Sequence, residues 1–297
     1  MNISATLTIL AITLPMAMAG PAQANPVTIV DFDQTVAEQM PYFMPENYPN
    51  NSPMVWQDNS GVTISDANIE KNSEPTLTAG DAWYIGTSTL DNNTDIDQTL
   101  STQSFSKQIS QTLSTTVTSG IQTGSKVSAS FEFAGIKGDV ELNQTVIYSN
   151  ADTQTSSEVE TFTAPSQNIK VPAHTKAKVT MALRKVVAKG EADLKADLAG
   201  AGRYLFGEDA GLMVNIPIVD ILGPYTYGKK PKAGRTPLPA SLSYDGVNKK
   251  IKFNGRLAYT ATYGTDMDVT VDLIPEESLK ASMAKRTSYH YTISSQH

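Results

Sequence analysis

Between Ser104 and Thr163 the chain is written largely in a two-residue period, which constrains its fold more than any other feature. From Ser104 to Thr118 every even position is a hydroxyl or an amide: Ser104, Ser106, Gln108, Ser110, Thr112, Ser114, Thr116 and Thr118. The odd positions carry Phe105, Ile109, Leu113 and Val117. Further on, Val127, Ala129, Phe131 and Phe133 alternate with Lys126, Ser128, Ser130 and Glu132. After the break Ala134-Gly135-Ile136-Lys137-Gly138, a second arm sets Val140, Leu142, Val146 and Tyr148 against Asp139, Glu141, Asn143 and Thr145. Gln144 is the polar intruder on its apolar side. A period of two means strands with one apolar and one polar face. Each arm runs about ten residues, close to the ~9–11 a tilted strand needs to cross a bilayer.

Residues 124–148 therefore read as a hairpin able to join a membrane β-barrel. Val127, Ala129, Phe131, Phe133, Val140, Leu142, Val146 and Tyr148 would face lipid. Lys126, Ser128, Ser130, Glu132, Asp139, Glu141, Asn143 and Thr145 would line the lumen. Only a closed barrel satisfies every strand donor and acceptor in lipid, so one hairpin cannot insert alone. Before assembly its apolar face must be covered by other strands. The Ser/Thr-rich flanks, 101–125 and 149–163, would build an aqueous upper barrel. On alternation alone, the same segment also fits an ordinary sandwich hairpin with one buried face.

Composition narrows the function classes. The net charge is −7 and no dense basic face is visible, which argues against a nucleic-acid partner. The chain has no cysteine, so neither a disulfide framework nor thiol chemistry is available. Of the three histidines, none belongs to an HExxH pattern, and no G-x-S-x-G or P-loop is present. Asp91, Asn93, Asp95 and Asp97 loosely suggest a calcium loop, but Ile96 and Thr102 stand where Gly and an acid are needed. The expectation is a protein that is not an enzyme and has no catalytic residue, metal site or cofactor.

Residues 1–24 read as a signal peptide. Leu7 to Met18 is an apolar core, and Ala22-Gln23-Ala24 supplies a small-x-small cleavage site. The protein is thus expected to be secreted. A helix is expected from Gln34 to Met40, capped by Asp33 and stopped by Pro41. Tyr42, Phe43, Tyr48, Trp56, Trp83 and Tyr84 collect in this N-terminal region as receptor-binding candidates, because rigid amphipathic rings make good contact surfaces. Taken singly, each ring fits the core of a small head equally well. Residues 199–246, rich in Gly and Pro, read as irregular, and strands resume from Ser241 to Ile274. A short helix is expected over Glu276 to Arg286. Lys280, Lys285 and Arg286 in that tail are protease-activation candidates, or simply the solvated end of that helix.

Several ordered motifs carry a family resemblance. Asn93-Thr94-Asp95-Ile96-Asp97-Gln98-Thr99-Leu100, followed by Ser104-Phe105-Ser106-Lys107, resembles the opening of the pore module in the epsilon-toxin/mosquitocidal-toxin family. Ala164-Pro165-Ser166-Gln167-Asn168-Ile169-Lys170-Val171-Pro172-Ala173-His174-Thr175 and the strand after it are similar to the same family. So are the closing strands from Phe253-Asn254-Gly255-Arg256-Leu257 to Leu273. The resemblance implies a mostly β, elongated, aerolysin-like architecture of long antiparallel strands with a small N-terminal head. Residues 25–97 would form that head and 98–198 the long-strand pore module. Residues 199–275 would supply an irregular segment and closing strands, and 276–297 a possible propeptide. It also implies a secreted pore-forming toxin. Such a protein binds a glycan or protein receptor on a target cell membrane and assembles a homo-oligomeric ring, often a heptamer. A secreted lectin-like protein that keeps the fold without pore formation is the alternative.

Overall fold

The computed structural model describes residues 27–44, 54–135, 140–206, 211–275 and 286–294. In chain order the elements are β1 (Thr28–Asp31), α1 (Phe32–Phe43), β2 (Met54–Lys71), β3 (Thr76–Asn92), β4 (Gln98–Ser101), β5 (Phe105–Gln122), β6 (Ser128–Ala134) and β7 (Glu141–Ile147). They continue with β8 (Gln154–Ala164), β9 (Asn168–Val171), β10 (Thr175–Phe206), β11 (Leu212–Pro217), α2 (Ile218–Leu222), β12 (Leu242–Asp245), β13 (Lys250–Pro275) and β14 (Thr287–Ile293). The expected mostly β, elongated class is what is found.

Two strands form the spine. β10 is 32 residues long, which at ~3.3 Å per residue spans roughly 105 Å. β13 runs antiparallel beside it from Thr175↔Pro275 to Leu198↔Ile251. On its other edge β10 carries β3 and then β2, end to end. β13 in turn carries β14, β5 and β12 along its length. β8 zips onto β5, and β1 joins the end of β5 in parallel. β4–β9 and β6–β7 are separate two-stranded sheets.

The spine buries two cores. On β10 the buried apolar set is Ala177, Val179, Met181 and Leu183, then Ala188, Ala192, Leu194, Ala196 and Leu198. It switches from odd to even positions at the register shift between Leu183 and Lys185. Because strand side chains alternate faces, the two clusters lie against opposite faces of β10. One core takes Ile109, Phe162, Ile169 and Met267. The other takes α1, α2, Phe253, Tyr259 and the β6–β7 hairpin.

Four expectations need correction. α1 is capped by Asp31, not Asp33: the Asp31 carboxylate accepts the Gln34 amide at 3.0 Å. Pro41 lies within the helix, so its missing N–H and ring clash fall in the last turn, where little helix remains to break. Second, residues 25–97 do not form a head apart from the rest: β2 and β3 belong to the spine's sheet, so the ladder crosses residue 97. Third, residues 199–246 are not irregular throughout. β10 runs to Phe206 across the boundary drawn at 198, and β11, α2 and β12 follow. Finally, the end of the tail is a strand, β14, laid on β13 from Thr287↔Leu273 to Ile293↔Met267. The helix expected over 276–286 lies outside the described residues except for Arg286.

Candidate functional site

The hairpin β6–β7 sits on the spine as a separate piece. Its own register runs from Ser128↔Ile147 to Ala134↔Glu141. Among the described residues no ladder joins it to the ten-stranded sheet. It is held mainly by its apolar face. Val127, Phe131, Phe133, Val140, Leu142, Val146 and Tyr148 are buried, and Ala129 is half-buried. Phe131 meets Tyr259 at 4.9 Å between ring centroids, and Phe133 meets Tyr263 at 5.6 Å. Lys71 of β2 lies over the Phe133 ring at 5.2 Å. The opposite face is wet: Lys126, Ser130, Glu132, Glu141, Asn143 and Thr145 are exposed, and Ser128 is half-exposed. Asp139 and Lys137 lie outside the described residues.

The apolar face carries polar flaws. Gln144 stands opposite Phe131, and its carbonyl oxygen is buried without a hydrogen-bond partner. The Tyr259 hydroxyl beneath the hairpin is also buried and unpartnered. At the hairpin's end Tyr148 is fully buried beside Phe253, 6.0 Å between ring centroids.

The Ser/Thr-rich flanks pair with each other. β5 and β8 run in register from Phe105↔Ala164 to Thr115↔Gln154. Their hydroxyls meet across the strands: Ser106 with Thr163 at 2.9 Å, Ser114 with Thr155 at 2.8 Å and Thr116 with Thr153 at 2.7 Å. Cross-strand hydroxyl pairs stabilise an exposed sheet face without needing a core.

The two family-like motifs, far apart in sequence, come together. β4 and β9 pair from Gln98↔Val171 to Ser101↔Asn168. The Asn92 amide donates to the carbonyls of Ile96, Val171 and Pro172, and His174 bonds Asp95 at 2.7 Å. His174 adopts a φ of 49°, the left-handed region a tight turn requires. Asp91, Asp95 and Asp97 are spent on Lys176, His174 and Lys170. Among the described residues no group of three or more His, Asp or Glu is placed to hold a metal.

The receptor-binding candidates separate into two places. Tyr42 and Phe43 end α1, where Phe43 is buried edge-on to Tyr227 at 6.0 Å and Tyr42 reaches Thr236 at 3.3 Å. Trp83 and Tyr84 lie on β3, under Lys185 and Lys107 respectively. Trp56 falls on β2, and Tyr48 lies outside the described residues. Near α1 a cavity of about 520 Å³ is lined by Phe43, Asp220, Tyr225, Tyr227, Lys229 and Tyr244, among others. Tyr225 and Tyr227 are exposed, so their rings present open faces. Sequence reasoning missed Tyr225 and Tyr227 because they lie in the segment read as irregular, where the run Pro224-Tyr225-Thr226-Tyr227-Gly228 was the available signal, and it read Tyr244 as a strand residue without a binding role.

The cavity wall is fixed from behind. Lys232 donates to the carbonyls of Ile221 and, at 3.3 Å, Asp220, and it lies over Phe43 at 5.4 Å. Burial, with Arg235 nearby, pushes the Lys232 ammonium down to about 8, against a weaker opposing pull from Asp220. Arg235 holds the carbonyls of Leu222 and Gly223 at 3.0 and 2.7 Å.

The tail strand β14 is fastened at Thr292 by an ion pair, whose Asp268 carboxylate accepts from the Thr292 hydroxyl at 3.1 Å. Arg184 pairs with Asp268 at 2.6 Å and donates to the Thr292 hydroxyl at 3.0 Å. Hydrogen bonding from Arg184, more than any other cause, holds the Asp268 carboxyl below its ordinary range. Arg286 precedes β14 and is exposed, whereas Lys280 and Lys285 lie outside the described residues.

A long-strand spine with a docked amphipathic hairpin is the fold of aerolysin-like β-pore-forming toxins. The chain belongs to the Clostridium epsilon toxin ETX/Bacillus mosquitocidal toxin MTX2 family, whose model matches residues 35–283. The Mpp75Aa1.1 β-pore-forming protein from Brevibacillus laterosporus is similar in structure, with a TM-score of 0.64 at 20% identity, covering 91% of this chain and 99% of that one. Cry23Aa1, solved as a binary complex with Cry37Aa1, aligns at 0.59 and 17% identity, covering 90% and 97%. A non-toxic crystal protein from Bacillus thuringiensis aligns at 0.59 and 14% identity, covering 84% and 98%. At these identities the likeness is one of fold. No curated protein matches the chain.

Proposed function

We propose that this protein is secreted and binds a glycan or protein receptor on a target cell. It then assembles a homo-oligomeric ring and inserts residues 124–148 of each subunit to build a transmembrane β-barrel. The observation that carries this reading is the hairpin itself. Its two faces are apolar and polar apart from Gln144 and Ile147, no ladder joins it to the body among the described residues, and its apolar face is covered by the spine. In the barrel, the face from Val127 to Tyr148 would meet lipid and the face from Lys126 to Thr145 would meet water. The aromatic cavity at the end of α1 supports surface recognition there, with Tyr42 and Phe43 beside it. Trypsin-like cleavage at Lys280, Lys285 or Arg286 would free β14 from β13 and so activate assembly.

The absence of cysteine makes the test direct. Ala129→Cys, Ser130→Cys, Thr145→Cys and Val146→Cys are each labelled with an environment-sensitive dye and added, after trypsin, to target membranes carrying a lipid-phase quencher. Ala129 pairs with Val146 and Ser130 with Thr145, so the expected result is quenching at 129 and 146 only. Equal signals at all four positions, or none, overturn insertion. The second reading, a surface-binding protein without pore formation, is favoured by the similar fold of the non-toxic crystal protein. Binding without quenching or dye release would select it.

A further inference from the structure

Where the hairpin ends, its last buried side chain meets the spine at an irregularity. In the β2–β10 ladder Asn68 faces Lys195 and Ser65 faces Asp197, so Asp66 and Ala67 oppose Ala196 alone. This is a β-bulge, and Asp66 takes the left-handed conformation it needs, with φ 54°. The Tyr148 hydroxyl reaches the pair next to that bulge: it lies 2.7 Å from the Asn68 carbonyl and 3.1 Å from the Lys195 carbonyl. One phenol thus touches both strands. Its own main chain is fixed as well, with the Tyr148 carbonyl accepting from Ile121 and its amide donating to Val127. Gly120 permits this approach, since a Cβ there would stand 2.0 Å from the Tyr148 carbonyl oxygen.

The rest of the docked face is held with less direction. Aromatic and aliphatic contacts are non-directional, and the unpartnered Gln144 and Tyr259 oxygens leave uncompensated desolvation in that contact. We propose that Tyr148 is a positioning residue for pore formation: it latches the hairpin to the β2–β10 pair, while Gln144 works against the docked state. The two residues then set, in opposite directions, how readily the hairpin leaves the spine. This rests on the reading of 124–148 as the inserting hairpin, but undocking itself is measurable in the full-length protein without any membrane.

The experiment measures amide hydrogen exchange across 128–147, β10 and β13 in wild type, Tyr148→Phe and Gln144→Met. Tyr148→Phe keeps the ring beside Phe253 and removes only the hydroxyl. The expected result is exchange about three- to tenfold faster in the hairpin, as loss of one net hydrogen bond implies, with β10 and β13 unchanged. Gln144→Met keeps the volume and removes the flaw, so hairpin exchange should slow about threefold or more. Unchanged hairpin exchange in Tyr148→Phe, equal acceleration throughout the spine, or faster exchange in Gln144→Met overturns the latch. A parallel arm follows dye release from phosphatidylcholine–cholesterol vesicles after trypsin. Initial rates should order Tyr148→Phe, wild type, Gln144→Met from fast to slow. If exchange moves as expected and all three release dye at one rate, undocking does not limit insertion and the positioning role is wrong. If no protein releases dye at any concentration, the pore reading for these vesicles fails while the exchange result still decides the latch.

Discussion

The hairpin β6–β7 and the β10–β13 pair share one sequence pattern and have opposite anchorage. Both alternate apolar with polar residues, and both bury the apolar face. β10 and β13 are hydrogen-bonded to each other over most of their length and flanked by further strands on their outer edges. Among the described residues the hairpin ladders with no strand but its own partner; it meets the spine mainly through side chains, with a main-chain bond from Ile121 to Tyr148 at its end. A ladder bond is lost only when strands separate, whereas a side-chain contact is lost when one surface slides off another. The same alternation therefore makes a laddered element in one place and, on the proposed reading, a detachable one in the other. Energy stored in detachable burial is set by area and by polar flaws, which makes it adjustable without disturbing the spine.

Large core deletions should separate the two regions most clearly. Phe253→Ala on β13 should destabilise the whole protein by about 3–5 kcal/mol, because a fully buried ring leaves a cavity. Phe133→Ala on β6 removes a ring of the same size, yet it should mainly raise local opening of the hairpin. Thermal unfolding followed with limited proteolysis separates them: a much lower midpoint for Phe253→Ala, and early cleavage within 124–148 at a nearly normal midpoint for Phe133→Ala. Variants on the proposed lipid face act on both states. Phe131 and Val140 are buried in the docked form, so Phe131→Asp or Val140→Asp would loosen the soluble protein as well as oppose insertion.

Lys232 tests the aromatic end against the spine. Its ammonium titrates near 8 in the folded protein, against an ordinary 10.5. Between those values the unfolded chain binds the extra proton, so stability should rise with pH across that window. Lys232 is half-exposed, so solvent screening should hold the gain to about 1–2 kcal/mol, less than the full displacement implies. Lys232→Met should lose that rise. Denaturant melts of both proteins at pH 7.5 and 10 provide the check, and parallel pH curves for the two would remove the buried lysine from the account.

A smaller effect is expected at β14. Asp268 is held below its ordinary value by Arg184, so its contribution is present above the unfolded carboxyl value near 3.9 and fades as pH falls through the lower folded value. The pair is partly exposed, which limits its worth to about 1 kcal/mol or less. Arg184→Gln should raise amide exchange in 287–293 a few-fold at neutral pH and remove its acid dependence, with the hairpin unaffected.

The smallest stability effect should accompany a large functional one. Glu132 and Glu141 are exposed in the docked form, so Glu132→Lys with Glu141→Lys should change stability by no more than about 0.5 kcal/mol. The proposed lumen has Glu132, Asp139 and Glu141 against Lys126, a net of two negative charges per subunit. Wild-type pores should favour cations at low salt and lose that preference near ~1 M. The double variant should invert it. Reversal potentials in a planar bilayer under a KCl gradient decide the matter, and an anion-selective wild type would mean the exposed face does not line the channel.

Much of the site is legible in the order of residues alone. Period two located β5, β6, β7 and β13 and placed Val127, Ala129, Phe131, Phe133, Val140, Leu142, Val146 and Tyr148 on one side, because side-chain direction in a strand is a local property. The aromatic end was harder. Tyr42 and Phe43 were visible, but Tyr225, Tyr227 and Tyr244 join them only through packing of α1 against the α2 segment. Trp83 and Tyr84, grouped with Phe43 by the sequence reading, lie apart from it on β3.

The sequence by itself determined that this is a long-stranded β protein with one hairpin of two unlike faces. Alternation, hydroxyl content and turn residues act over a few neighbours and need no partner to be read. Only the tertiary structure decided what covers that hairpin, and that it is covered without being laddered. Long-range pairing is not encoded in any local period: the bulge at Asp66, the meeting of Tyr148 with Asn68 and Lys195, and the strapping of β14 onto β13 each join residues distant in the chain. Their geometry follows from which strands win the spine, and that competition is settled by the whole chain at once.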